Sequence, residues 1–508
     1  MGRRRACSDA AAMHSASLSS TTSVSIARLR ELVAGRVIGL ADDRYDDART
    51  VFLGGIDRRP YAIVRVANAA DVARAVLFAR ESGLELAVRS GGHSPAGHSV
   101  TDGGIVIDLR DMHGLAIDLR QRTARAETGL TAGEYTVATA TCGLATGFGD
   151  TGSVGIGGIT LGGGAGLLVR KHGLTIDSLL AADVVTAAGE IVRADAQNNP
   201  DLFWAIRGGG GNFGVATSFE FRLHELQQIF GGTLVLPATP DVIAGFVAEA
   251  DAAPDELSTI ANVMRAPPMP LLPQDRHGEL VVMATLAYAG PAKAGTRAVA
   301  PFRQLAAPIA DTLQRMPYPG LFPPDAEDYH PIYESRTIFA DGIEAAAAEA
   351  IVEQLRASTA ARAVAQLRVL GGAAARVPVD STAYAHRDRR MMVTVAALHG
   401  RPDEAAVHRE WVAELSGALE TGRPGAYVNF LGDEGQARVR DAYPGRTWDR
   451  LAATKARYDP ANVFRLNQNV PPAVPDESGR ARRTNPVNVD TQGAGVTGAR
   501  EEAAWDSR

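Results

Sequence analysis

Twelve consecutive residues, Gly155-Ile156-Gly157-Gly158-Ile159-Thr160-Leu161-Gly162-Gly163-Gly164-Ala165-Gly166, contain seven glycines. Inside a helix or strand each glycine costs roughly 0.5–1 kcal/mol relative to alanine. The run therefore predicts neither a helix nor a central strand. What it does allow is direct approach of a large, flat ligand to bare backbone. Val154, Ile156, Ile159 and Leu161 set apolar side chains among the glycines. That interleaving fits a buried ligand cradle better than the bland alternative, a flexible surface loop.

A second glycine turn, Arg89-Ser90-Gly91-Gly92-His93-Ser94, follows a short stretch, Leu84 to Val88, that reads as a strand. Successive glycines let neighbouring backbone N–H groups converge on one concavity, which suits a pyrophosphate. A third, Gly209-Gly210-Gly211-Asn212-Phe213-Gly214, matches G-x-G-x-x-G. A dinucleotide fingerprint follows a strand and opens a helix. Here the order is reversed: a helical turn at Leu202–Arg207 precedes it, and alternating Val215–Leu223 follows. This excludes a Rossmann site, and the lack of G-x-x-x-x-G-K-[ST] excludes a P-loop.

Composition removes further classes. The 508 residues carry a net charge of −6, too mild for a nucleic-acid footprint. No apolar run approaches the ~18 residues of a membrane span. Cys7 and Cys142 cannot build a disulfide framework or a thiolate cluster. The eleven histidines are scattered, and His93 with His98 is not a helical i, i+4 pair, so no metal is expected. Only Lys171, Lys293 and Lys455 are lysines, a scarcity that base composition of the genome explains. These features lead to an expectation of a cytoplasmic protein, a monomer or homodimer, working on small molecules.

Along the chain, residues 1–24 read as a disordered leader and 473–508 as a disordered tail. Residues 25–228 mix short strands and helices. Among them are a helix over Asp71–Arg80 with Asp71 as N-cap and Gly83 beyond its end, and a hairpin across Ala188-Gly189. Residues 229–424 alternate strands (Glu279–Tyr288, Met391–Leu398) with Ala-rich helices (Gly342–Ser358, Asp403–Leu419), which predicts an antiparallel sheet backed by helices. Pro-rich loops at Arg265–Gln274 and Tyr318–Pro324 are expected at the rim of a cleft. Residues 425–472 read as a strand over Ala426–Leu431, a helix over Thr447–Tyr458 and an extended end over Phe464–Pro472. The fold class is α+β.

Taken together, RSGGHS, DTGSVGIGGITLGGGAG and DLFWAIRGGGGNFGV resemble the berberine-bridge-enzyme-like, FAD-linked oxidases of the vanillyl-alcohol-oxidase/PCMH superfamily, on their nicotine-oxidase-like side. The likeness is strong over residues 40–228 and good over 425–472. It implies a two-part PCMH-type FAD-binding domain, completed by the C-terminal block, and a substrate domain over the flavin ring. It implies that Arg89, Ser90, Gly91, Gly92, His93 and Ser94 form the pyrophosphate loop, and that His93 bonds to the flavin 8α carbon. Val154, Gly155, Gly157, Gly158, Gly162 and Gly164 would lie along the cofactor, with Gly214 and Val215 near its adenine end. Tyr427 and Asn429 match the family's Y-x-N motif, and Asn467 and Asn469 its N-Q-N-[IV]-P segment. Many relatives add a cysteinyl bond from C-P-T-V-G. Thr151 stands at that cysteine here, so a single covalent bond is expected, and Cys142 is expected to be a small core residue within a helix.

The chemistry implied is hydride transfer from a C–N or C–OH carbon to flavin N5, with reoxidation by O2 to H2O2. A base must take the O–H or N–H proton. Tyr427 is the catalytic candidate, on a strand and with a pKa depressed by a nearby cation. Small Val154 favours oxygen access. His98, His386 and Arg387 are expected to be structural. A dehydrogenase using another acceptor, or a flavin-binding module without chemistry, are the competing readings.

Overall fold

The computed structural model describes residues 25–322 and 329–474. The leader, the tail and Pro323–Pro324 lie outside them. Three large sheets organise the described chain, beside a two-stranded pair of Leu144–Ala145 with His224–Glu225. The first has four strands in the order Arg36–Gly39, Ala62–Arg65, Ile105–Asp108, Leu86–Arg89. Its last three strands are parallel, and Ile105–Asp108 is buried along its whole length. This is why IVID reads as an uninterrupted apolar run. The helix Ala69–Glu81 covers this sheet through Val72, Val76 and Ala79. Its N-cap is Asn68, whose side chain accepts the Asp71 N–H. Asp71 lies inside the first turn instead. Its buried carboxylate accepts N–H bonds from Ala34, Gly35 and Ala67, which tie the preceding chain to the sheet.

The second sheet is antiparallel throughout, ordered Leu115–Asp118, Thr123–Glu127, Val215–Arg222, Leu179–Val185, Ile191–Asp195. The expected hairpin is its last pair. Its core (Phe219, Phe221, Leu202, Trp204) continues into Val439, Trp448, Leu451 and Tyr458 of the C-terminal block. The helix Arg446–Tyr458 is thus part of this layer, although it comes more than two hundred residues later. Lys455, fully buried, fastens it. Its ammonium donates to Asn212 O (2.7 Å), Phe464 O (2.8 Å) and Asp459 Oδ2 (2.6 Å).

The third sheet runs antiparallel through Ala310–Asp311, Ile229–Pro237, Leu280–Tyr288, Leu257–Arg265, Arg362–Val369, Met391–His399 and Ile332–Ala340. The helices Pro240–Ala252, Ala345–Ala357 and Ala405–Leu419 supply Phe246, Ile351 and Leu415 to its main core. The α+β class and the helix-backed antiparallel sheet are as expected. Among the Pro-rich loops, the first packs Ala266 and Leu272 against Val235 and Val281 of its own sheet. It does not border the large cavity described below.

Candidate active site: a glycine-walled cavity

A cavity of about 420 Å³ opens where the three sheets meet, well within the size range of small-molecule sites. Its walls come from segments far apart in sequence: Ser90–His98, Gly149–Leu161, Gly210–Ala216, Tyr427–Leu431 and Phe464–Gln468. Of the residues expected at the cofactor, Ser90, Gly91, Gly92, His93, Ser94, Val154, Gly155, Gly157, Gly158, Gly214, Val215, Asn429 and Asn467 all line it, as does Tyr427.

Two glycine motifs that are separate in sequence form one wall because their backbones touch. A Cβ built on Gly91 would lie 2.2 Å from Gly155 N, and one on Gly155 would lie 2.2 Å from Gly91 N. Ser90 Oγ clamps the contact, donating to Thr128 O (2.6 Å) and accepting the Gly157 N–H (3.2 Å). Contrary to the sequence expectation, Ile156–Gly162 is a helix of seven residues. Packing on its flanks outweighs poor propensity. A Cβ on Gly157 would strike the Ser90 side chain at 2.9 Å, and one on Gly162 would strike Asn429 Oδ1 at 2.0 Å. Gly158 has nothing within 4 Å and leaves open space at the cavity.

Four expected contacts fall just behind the wall. Arg89 is buried and turned away, bonded to Asp108 Oδ2 (2.9 Å) and to carbonyls of Ala48 and Thr50, so it braces the turn from below. Gly162 makes room for Asn429, and Gly164 (φ +80°) for Thr175. Asn469 lies beyond Asn467 and off the lining. Asn467 Oδ1 and Asn469 Oδ1 are both buried without a hydrogen-bond partner. Asn467 Nδ2 is engaged by Gly211 O (3.3 Å) and Phe464 O (2.9 Å), which fixes its amide beside the wall.

Tyr427 does not sit on a strand. It precedes a 3₁₀ turn, Val428–Phe430, which places its ring 5.0 Å edge-on to Phe430 and 6.0 Å from Tyr384. The turn also brings Asn429 beside it. Asn429 Nδ2 donates to Ile159 O (3.0 Å), which fixes the orientation of the amide, and to the Tyr427 oxygen (2.9 Å). Gly164 N–H (2.8 Å) and Ala165 N–H (3.2 Å) converge on the same oxygen. Three donors on one phenol oxygen make a receptacle for negative charge. The pKa is nevertheless raised, not depressed as expected: burial dominates, opposed by these donors and by the charge of Arg368.

His93 lines the cavity with its ring stacked 4.1 Å from Phe52 at 20°, a contact that nothing in the motif announces. His98 is held to about 4 by burial and by Arg58, so its imidazole is neutral at pH 7. Arg387 forms a two-pronged pair with Asp177 (2.7 and 2.8 Å) and His386 packs on Phe339. Neither borders the cavity. Cys142 is exposed beyond the end of the helix Ala132–Ala140, not a core residue. It lies past the C-cap Thr141, in the turn that ends the helix, where the packed helical face no longer continues. Sequence reading missed Asp150, on the cavity wall, and the buried Arg368 that pairs with it at 2.9 Å. It also missed Lys455, whose only signal was Asp459 one turn later.

The FAD binding domain family matches residues 60–195, and the berberine and berberine-like family matches 426–471. These two segments supply most of the cavity wall. Over 457 residues the chain is 31% identical to (R)-6-hydroxynicotine oxidase of Paenarthrobacter nicotinovorans, covering 87% of this chain and 97% of that one. The chain belongs to the berberine-bridge-like FAD-linked oxidoreductases. A xylooligosaccharide oxidase of Thermothelomyces thermophilus is 29% identical, with 82% of this chain and 89% of that one covered. Among solved structures, 6-hydroxy-D-nicotine oxidase of Arthrobacter nicotinovorans superposes with a TM-score of 0.77 at 28% identity, covering 86% of this chain and 98% of that one. This oxidoreductase is accordingly an FAD-dependent enzyme of the oxidase type. No helix among its described residues is long and apolar enough to cross a membrane.

Proposed function

We propose that this oxidoreductase carries FAD on a single covalent bond from His93 and oxidises a C–N or C–OH carbon of a mid-sized organic molecule, with O2 as the terminal acceptor and H2O2 as product. One observation carries the reading. His93, the glycine wall and the Tyr427–Asn429 pair, which sequence analysis singled out separately, border one cavity. Bound flavin supplies the hydride acceptor.

The chain's own residues do the rest. Gly91, Gly155 and Gly158 keep the wall free of side chains. In its phenolate form, held in place by Gly164, Ala165 and Asn429, the Tyr427 oxygen accepts the substrate's O–H or N–H proton. Because burial raises the phenol's pKa, that form is scarce at neutral pH, and the rate should rise with pH. Val154, at the wall, is small enough to leave O2 a path. Residues 25–228 and 425–472 serve as the FAD part, and 229–424 as the substrate part. Thr151 offers no thiol, which supports one covalent bond in place of two.

The purified protein, denatured and run on a gel under acid, should show ultraviolet-excited flavin fluorescence in its band, and His93→Ala should lose it. Substrate turnover should release peroxide. Fluorescence that persists in His93→Ala would move the attachment elsewhere, and turnover without peroxide would replace O2 with another acceptor.

A further inference from the structure

Among the described residues that line the cavity, Asp150 is the only Asp, Glu, Lys or Arg. Its position is set from behind. Arg368, on the strand Arg362–Val369 of the third sheet, gives Nη2 to Asp150 Oδ2 (2.9 Å) and to Gln366 Oε1 (2.9 Å), and Nη1 to Ala165 O (2.7 Å). Gln366 is itself held by Asn262 (3.0 Å). The guanidinium also lies 5.5 Å over the Phe430 ring. Through Ala165, whose N–H reaches the Tyr427 oxygen, this network places Asp150 at the Tyr427 end of the cavity.

The pair is oriented. The Arg368 side chain is 3% exposed and that of Asp150 30%, so the cation is behind the wall and the anion in front. Asp150 Oδ2 is engaged, while Oδ1 accepts no hydrogen bond from the described residues. The neighbouring lining is apolar or neutral: Thr151, Val154, Ala165, Tyr333 and Phe430. The ion pair with Arg368 thus turns the free Oδ1 of Asp150 toward apolar or neutral lining, where charge is screened less than in bulk water. Its role as a mere partner for Arg368 would not require it to reach the cavity.

We propose that Asp150, backed by Arg368, is the charge-selecting residue of the substrate site. The carboxylate receives a basic nitrogen of the substrate, carried as an ammonium, and it repels carboxylic acids. The inference rests on the reading of this cavity as a shared cofactor and substrate site with the substrate at its Asp150 and Tyr427 end, and narrows it to substrates that bear a basic nitrogen.

The test uses three one-ring probes of similar shape and different charge at pH 7.5: N-methylbenzylamine (cationic), benzyl alcohol (neutral) and benzoate (anionic). Dissociation constants are measured on the purified protein by calorimetry or ligand-observed NMR, neither of which depends on turnover. Wild type should bind the amine at least tenfold tighter than the alcohol and benzoate most weakly. Asp150→Asn should lose the amine preference and gain benzoate binding, because Arg368 is then uncompensated. The double variant Asp150→Asn with Arg368→Gln removes both charges and should bind amine and alcohol alike, which covers the case of a poorly folded single variant. Benzoate binding as tightly as the amine in wild type, or an amine preference kept in either folded variant, would overturn the proposal. A colourless protein that still ranks the probes as expected would support this inference while removing the flavin reading. A flavin-loaded protein that does not rank them would overturn this inference alone.

Discussion

Replacing Tyr427 with Phe deletes one oxygen and leaves the ring packing against Phe430 and Tyr384. That oxygen accepts three N–H bonds, from Gly164, Ala165 and Asn429. An orphaned buried donor costs about 1–3 kcal/mol. Three such donors at the low end of that range give about 3 kcal/mol. The variant should fold, melt at a lower temperature and still carry flavin. The chemical loss is separate. A positioned base contributes ~10²–10⁴-fold, so the anaerobic rate of flavin reduction in stopped-flow should fall by that factor. Below the raised pKa of Tyr427, the wild-type rate should climb about tenfold per pH unit if the phenolate fraction governs it. The variant should keep only the slope due to the substrate's own ionisation. A variant that melts lower but reduces flavin at the wild-type rate, with the same pH slope, would show the phenol to be a structural tie and not the base.

Three further outcomes follow from the geometry. Gly155→Ala would place a methyl 2.2 Å from Gly91 N and from Ser90 Oγ, so the ratio of flavin to protein absorbance should collapse. Gly342→Ala, with nothing within 4 Å, should leave that ratio unchanged. Val154→Leu should slow reoxidation of the reduced enzyme by O2 while leaving its reduction by substrate intact, measured in the two half-reactions. Burial and Arg389 hold His386 at about 4, below its ordinary 6.5. Between those values the unfolded chain binds more protons than the folded one, so stability falls as pH drops. The loss from this residue is about 2 kcal/mol at pH 5, and the drop in melting temperature between pH 7 and pH 5 should be smaller in His386→Asn.

The glycine signals were legible because glycine is required where two backbones meet, and a chain cannot hide seven of them in twelve positions. The strands of the third sheet were legible for a similar reason: Leu280–Tyr288 and Met391–His399 each bury six of nine residues and expose none, and they appear as long apolar runs. What failed was local inference where tertiary contacts override propensity. Ile156–Gly162 is helical because Ser90 and Asn429 pack on its two flanks. Ala426–Leu431 alternates like a strand, yet Asn429 turns back to Ile159 O and bends the chain into a 3₁₀ turn. Asp150 and Arg368 were invisible because an ion pair 218 residues apart in sequence leaves no spacing to read.

The cavity is a joint between cores and not a hollow within one. Asn429 and Tyr427, from the C-terminal block, bond to Ile159, Gly164 and Ala165 of the glycine wall. Lys455 of the same block bonds to Asn212, and Asn212 Oδ1 in turn accepts the Val470 N–H (2.9 Å). Arg368 of the third sheet bonds to both Asp150 and Ala165. Every wall segment is therefore held by a partner in another layer, and each of these ties ends on a backbone atom or a buried charge that solvent cannot replace cheaply. Such a site can form only once the layers have docked. This accounts for the wide sequence separation of its residues, and it brings the third sheet into the wall through Arg368, which bonds to Ala165 of the glycine run as well as to Asp150.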